Sequence, residues 1–223
     1  MAVYDLEEQE QLDELKTWWK QYGNLLTGAV VAVSVVLVGW QGWNWWQRDQ
    51  GIQAAAVFAA VERAAGEHDA KKAREATGEL IDKFSRTPYA AMAVLVSARL
   101  QVEAGDTKTA KLQLGWTVDN ARDGEIRDLA RLRLATVLFA ENAYEEALKQ
   151  LASDPVAPFS ARYAEVRGDI LAAQEKHGEA KAAYQQALSN LVETQKSPGA
   201  DQSRGQYHDL LQLKVETIGS NKP

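Results

Sequence analysis

The 223-residue chain contains no cysteine, only three histidines and only five prolines. Without cysteine it forms no disulfide bond, and thiolate catalysis, zinc–thiolate sites and iron–sulfur sites are excluded. The histidines, His68, His177 and His208, lie in polar stretches, and none has a second histidine or an acid at zinc-protease spacing. The sequence therefore predicts no metal site and no cofactor.

Catalytic motifs and an excess of positive charge are missing as well. No phosphate-binding loop, dinucleotide fingerprint or nucleophile elbow occurs. The net charge is −6, so the chain lacks the basic surface that holds nucleic acid. Adjacent acids such as Glu145 and Glu146 point apart on a helix, as on a solvated face. These absences predict a protein that is not an enzyme and binds no nucleic acid.

Residues 25–46 contain no charged residue, and they predict a transmembrane helix. At about 1.5 Å per residue this helix is roughly 33 Å long, enough to cross a hydrocarbon core of about 30 Å. Six of the seven tryptophans lie at its two ends, as in an aromatic belt. They are Trp18, Trp19, Trp40, Trp43, Trp45 and Trp46. The acidic N-terminus and the tryptophans at the exit disagree with a cleaved signal peptide.

The span divides the chain into a short tail, residues 1–24, and a large C-terminal domain, residues 47–223. Lys16 and Lys20 precede the span and Arg48 follows it, so the positive-inside rule favours a cytoplasmic N-terminus. The C-terminal domain is then exported, which in a bacterium with two membranes means the periplasm.

Two features of the N-terminal part leave alternatives open. Gly28, Ala32 and Gly39 form a stripe of small residues that is either a seam for another membrane helix or a chance arrangement. In the tail, a helical face of apolar residues either lies in the membrane interface or docks a cytoplasmic protein. That face consists of Leu12, Leu15, Trp19 and Tyr22.

After the span the sequence predicts helix throughout, with a repeat. Three segments align on Ala110, Ala147 and Ala180, at separations of 37 and 33 residues that bracket the tetratricopeptide period. Twelve residues before each stands another small residue, Ala98, Ala135 and Gly168. Small side chains at both positions let paired helices pack closely. Val61 and Ala73 are also twelve residues apart and indicate a weaker fourth unit. Turn signals separate the units at Thr87-Pro88, Asp123-Gly124 and Asp154-Pro155. The predicted fold is all-α, a single transmembrane helix followed by a tetratricopeptide-like superhelix.

The usual phase of such repeats predicts a groove for an extended or unfolded polypeptide. Its apolar members are Met92, Leu95, Val102, Leu129, Leu132 and Phe139, followed by Arg162, Glu165 and Asp169. Burial of any of these residues in the core between repeats is the alternative. Residues 194–206 are a polar break, and residues 207–218 predict a helix that caps the last repeat.

Several segments resemble the YfgM-type family of ancillary SecYEG translocon subunits. The most specific is the start, Tyr4 with EEQ at residues 7–9 and LDELKTWWKQYGN at residues 12–24, leading into the span. The repeats contribute YAAMAVLVSARLQVEAGD at residues 89–106, ARLRLATVLFAENAYEEAL at residues 130–148 and VRGDILAAQ at residues 166–174. The resemblance extends almost end to end.

This resemblance implies a single-pass protein of the bacterial inner membrane. It implies that the exported domain works beside the SecYEG translocon with a PpiD-like periplasmic chaperone and assists secretory or unfolded polypeptides. It also implies a link to a cytoplasmic response regulator, so a regulatory anchor acting through the tail is an alternative function. An envelope assembly factor with another partner would share the architecture.

Overall fold

The computed structural model describes residues 4–194 and 203–220. Side chains are described at position 16 and over residues 18–193 and 205–218. In chain order the helices are α1 (Tyr4–Gly66), α2 (Ala70–Phe84), α3 (Pro88–Glu103), α4 (Thr107–Asn120), α5 (Gly124–Ala140), α6 (Tyr144–Gln150), α7 (Ser160–Ala173), α8 (His177–Thr194) and α9 (Ser203–Ser220), with one 3-10 turn at Ala157–Phe159. No strand occurs over the described ranges, which confirms the all-α prediction.

The chain divides into two compact units, Met1–Ile52 and Gln53–Pro223. In the first unit α1 is long and apolar enough to cross a membrane. Its apolar side chains are solvent-exposed, Leu25 by 75% and Val38 by 72%. A soluble protein would bury such a run in its core, whereas a lipid environment stabilises it in this exposed state. The side chains of Leu12 and Leu15, in the predicted tail face, lie outside the described residues.

The second unit consists of helix pairs joined by short turns. The last part of α1 pairs with α2, and the pairs α3–α4, α5–α6 and α7–α8 follow. The first helices of successive pairs also contact each other, α3 with α5 and α5 with α7. Each pair thus buries its apolar face against its neighbours, as in a repeat array.

The repeat is visible in the turn inside each pair. One residue per turn has a positive φ angle, at His68, Gly105, Asn142 and Glu175. In each case the next backbone N–H returns to a carbonyl five residues earlier, as Asp69 to Ala64 (2.9 Å) and Ala143 to Leu138 (2.9 Å) show. Such bonds satisfy the last carbonyls of the first helix and reverse the chain.

The turns between pairs also lie where the sequence predicted them. α3 begins at Pro88, where the missing N–H costs no hydrogen bond. The Asp123 carboxylate caps α5 by accepting from the backbone N–H groups of Glu125 and Ile126, at 2.8 and 3.3 Å. Asp154-Pro155 precedes the 3-10 turn.

The predicted C-terminal helix is present as α9 and packs on α7 and α8. Leu211 is fully buried in a cluster with Ala161, Ala164, Ala187 and Leu191. Further along α9, Val215 and Ile218 pack against a second cluster formed by α7 and α8. Of the predicted break before this helix, residues 195–202 lie outside the described part.

Candidate functional site

Two adjoining depressions form a groove between α3 and α5, which we call the α3–α5 groove. Phe58, Met92, Leu95 and Val96 line the first depression. Ala98, Val102, Leu114, Val137, Thr136 and Glu103 line the second. Arg99 and Arg133 line both. The groove is therefore apolar along its length, with two guanidinium groups at its middle.

The structure distributes the six predicted groove residues over two environments. Met92, Leu95 and Val102 line the α3–α5 groove; Met92 and Val102 are each 40% exposed, whereas Leu95 is 8% exposed and also belongs to the main core cluster. Leu129, Leu132 and Phe139 on α5 are partly buried and pack against the main core cluster. They occupy the inter-repeat position that the sequence left open as an alternative.

Arg133 is the most unusual polar group of the groove. It is partly buried, and its Nη1 donates to the Leu95 carbonyl oxygen at 2.7 Å. Burial lowers the pKa of its guanidinium, and the charge of nearby Arg99 lowers it further. Over the part of the chain that the structure describes, no carboxylate lies within ion-pair distance of Arg133.

Arg99 is more exposed and shares its counter-ion. Its Nε lies 3.5 Å from a carboxylate oxygen of Glu103, one turn further along α3. His68 lies 3.7 Å from the same carboxylate group. The ion pair is half-exposed on both sides, so it contributes little stability and is readily exchanged.

The charged residues predicted at the end of the groove, Arg162, Glu165 and Asp169, contact α9 instead. Glu165 is only 3% exposed and accepts hydrogen bonds from Lys214 Nζ (2.8 Å), Tyr207 Oη (2.8 Å) and Arg162 Nη1 (2.6 Å). Lys214 also donates to Asp169 at 2.7 Å. These charges hold α9 on α7, so their role in the structure is packing between helices.

The same network shifts the pKa values of its members in opposite directions. Burial alone would raise the pKa of Glu165, but the three donors outweigh it and lower the pKa below its usual value. Burial alone would lower the pKa of Lys214, but the Asp169 and Glu165 carboxylates raise it. Both ionised forms are thus stabilised in the folded state.

The six predicted packing residues lie at helix crossings. Ala110, Ala135, Ala147 and Ala180 are fully buried and Ala98 is 1% exposed. At Gly168 an added Cβ atom would meet the Tyr184 ring at 2.5 Å. Only glycine fits there without displacing the ring.

Among the described side chains, none packs against the predicted membrane seam. Gly28, Ala32 and Gly39 are exposed, and an added Cβ at either glycine would meet no atom within 4 Å. Among the described residues, no cluster of three histidine or carboxylate side chains could hold a metal ion.

The sequence did not predict Arg99, Arg133 or Phe58 as groove residues. Arg99 stands between Leu95 and Val102 on the same helical face, at the spacing that identified those two. Arg133 and Phe58 carry no such signal, because they enter the groove from α5 and α1 and their positions depend on how these helices cross α3.

Comparison with known proteins extends over nearly the whole chain. The sequence matches the tetratricopeptide repeat-like domain family over residues 16–220. The ancillary SecYEG translocon subunit of Neisseria gonorrhoeae is 32% identical, over 98% of this chain and 100% of that protein. Proteins of the same name from Haemophilus influenzae and Escherichia coli are 29% and 24% identical, over 83% and 98% of this chain and 90% and 99% of their own lengths.

The match includes both structural units, because it covers the apolar helix as well as the helix pairs. A repeat domain by itself would resemble many unrelated proteins, whereas an anchor and repeats aligned end to end with one relative specify a single architecture. The chain belongs to the family of ancillary SecYEG translocon subunits and contains a tetratricopeptide repeat-like domain.

Proposed function

We propose that this chain is an ancillary subunit of the SecYEG translocon in the bacterial inner membrane. In this proposal residues 25–46 anchor it, the N-terminus is cytoplasmic and the repeat domain lies in the periplasm. The alignment with the Neisseria gonorrhoeae translocon subunit over that protein's full length is the observation that carries the proposal. The lysines before the span support the orientation.

The repeat domain, in this proposal, assists polypeptides that emerge from the translocon and works with a PpiD-like periplasmic chaperone. It acts by binding, without turnover. The α3–α5 groove supports this role because it presents apolar side chains that the fold leaves uncovered, Met92 and Val102 among them. Exposed apolar surface lined by a few polar groups is typical of a protein interaction site.

Site-specific photocrosslinking in intact membranes tests both parts of the proposal. A photoreactive residue at Trp43, which is 52% exposed in the apolar helix, should capture translocon subunits or the chaperone. The same residue at Met92 should capture secretory chains. Leu112 on α4 is the matched control, because it is apolar and 69% exposed but lies outside the groove. Secretory chains should appear at Met92 and not at Leu112.

Deleting residues 2–20 separates this function from the regulatory alternative. Translocon crosslinks at Trp43 should survive the deletion, whereas binding of a cytoplasmic response regulator to the tail would be lost. If translocon crosslinks disappear with the tail, the assignment of association to the span and repeats is wrong. Capture of only cytoplasmic proteins at Met92 would reverse the proposed orientation and refute the secretion role.

A further inference from the structure

We propose that the α3–α5 groove binds an extended polypeptide segment in which one carboxylate lies between apolar side chains, and that Arg99 and Arg133 hold this carboxylate. The inference rests on the proposed function only in that the occupant is a polypeptide. It adds a requirement on the polypeptides that the groove binds: they contain a single acidic residue within an apolar stretch.

Arg133 supplies the first part of the argument. Its guanidinium has five N–H donors, and the hydrogen bond to the Leu95 carbonyl uses one of them. The group is partly buried, yet within the described ranges no acidic side chain pairs with it. Removing part of a guanidinium charge from water costs free energy, and a carboxylate partner offsets this cost. An acidic side chain of a bound segment would supply that partner.

Arg99 makes the middle of the groove positive. The two arginines line both depressions, and the acidic side chain that lines the groove with them, Glu103, already pairs with Arg99. The groove therefore has an excess of positive charge in a chain whose net charge is −6. A carboxylate placed between Arg99 and Arg133 relieves their mutual repulsion and forms charge-assisted hydrogen bonds.

The apolar side chains that line the groove favour a polypeptide over a small anion as its ligand. Phe58, Met92 and Val96 lie on one side of the arginines, and Val102 and Val137 on the other. An inorganic anion would leave both sides uncovered. An extended chain with apolar residues before and after its acid covers both, because side chains several residues apart reach both depressions.

Peptide binding to the full-length chain in lipid nanodiscs tests the inference. The probes are two fluorescent peptides of about ten residues, alike except for a central glutamate or glutamine flanked by leucine and valine. Fluorescence anisotropy should give about tenfold tighter binding of the glutamate peptide, and high salt should reduce this preference. The R133Q variant should bind both peptides equally. R122Q, which removes an exposed arginine outside the groove, should keep the preference.

The R99Q variant tests the same inference in case R133Q does not fold. Arg99 is exposed, so its replacement should leave the helical circular dichroism unchanged and still reduce the preference. Equal binding of both peptides by the unmodified chain, or an undiminished preference in R133Q and R99Q, would overturn the inference. So would a dimer that R133Q dissociates, since a second copy would then be the occupant. Translocon crosslinks at Trp43 should be the same in R133Q, so they report on the proposed function separately.

Discussion

Paired helices in the repeat domain cross at single small residues. Among the described glycines, Gly168 has the least space for an added Cβ atom. The Tyr184 ring lies against its Cα, and the Tyr184 hydroxyl donates to Asp169 at 2.8 Å. That hydrogen bond fixes one end of the ring, and Lys214 Nζ lies over the ring, 5.5 Å from its centre. The ring therefore has little freedom to move away from an added methyl group.

We expect Gly168→Ala to lower the free energy of unfolding by about 1–3 kcal/mol, the usual cost of overpacking. In a domain of this size the thermal midpoint should fall by several degrees. The control is Gly78→Ala in α2, where an added Cβ meets nothing within 4 Å. Alanine favours helix there and should raise the stability by about 0.5–1 kcal/mol. Equal effects of the two substitutions would contradict the packing argument.

The structure buries the small residues that the sequence singled out for these crossings, whereas it divides the predicted groove residues over two environments. Small residues twelve apart mark a close approach of paired helices, and that spacing is a local property of the repeat. Leu132 and Phe139 share the helical face of groove residues, but neighbouring helices cover them and pack them on the core. How far one repeat covers the next depends on helix crossings that no local pattern encodes.

At the scale of the element, hydrogen bonds between charged groups hold α9 on α7. Lys214 bonds Glu165 and Asp169, residues that precede it by 49 and 45 positions. Arg162 also lies over the Tyr207 ring of α9, at 4.7 Å. The sequence predicted the helix from its spacing, but it could not pair Lys214 with Glu165 and Asp169, because local spacing predicts no contact between charges so far apart.

Because of the hydrogen bonds of Lys214 with Glu165 and Asp169, the domain should be less stable at both low and high pH. The folded state lowers the pKa of Glu165, so its contribution is complete above the unfolded value of about 4.3 and is lost as the pH falls through the folded value. It raises the pKa of Lys214, so that contribution is complete below about 10.4 and is lost as the pH rises through the folded value. Lys214→Met should therefore lower the thermal midpoint most between about pH 5 and pH 10, and the difference should shrink outside this window.

The matched control for this measurement is the exposed pair of Lys83 and Glu79 on α2. Its atoms lie 3.0 Å apart, but both side chains are largely in solvent. Exposed pairs contribute little, so Lys83→Met should change the midpoint little at any pH. A pH-independent effect of Lys214→Met would show that its aliphatic stem, and not its charge, holds α9 in place.

At the scale of the whole molecule, the buried core belongs to the second unit. Over the part of the chain that the structure describes, the clusters of buried apolar residues begin at Ala54 and end at Leu211. In the first unit, by contrast, the apolar residues from Leu25 to Trp46 are exposed. The sequence predicted a boundary after residue 46, because an uncharged run and an alanine-rich repeat differ in composition; the second unit begins at Gln53.

This division predicts that the repeat domain folds without the anchor. A fragment of residues 47–223 keeps about two helical turns before Ala54 and retains every described cluster residue. Its thermal unfolding, followed by circular dichroism, should be cooperative and should have a midpoint within about 2 °C of the domain transition in the full chain, a difference of under about 1 kcal/mol. The fragment should remain in solution, because the exposed apolar run that requires lipid is gone. A broad, non-cooperative transition would show instead that α1 needs its membrane part to hold Phe58 and Val61 against α2 and α3.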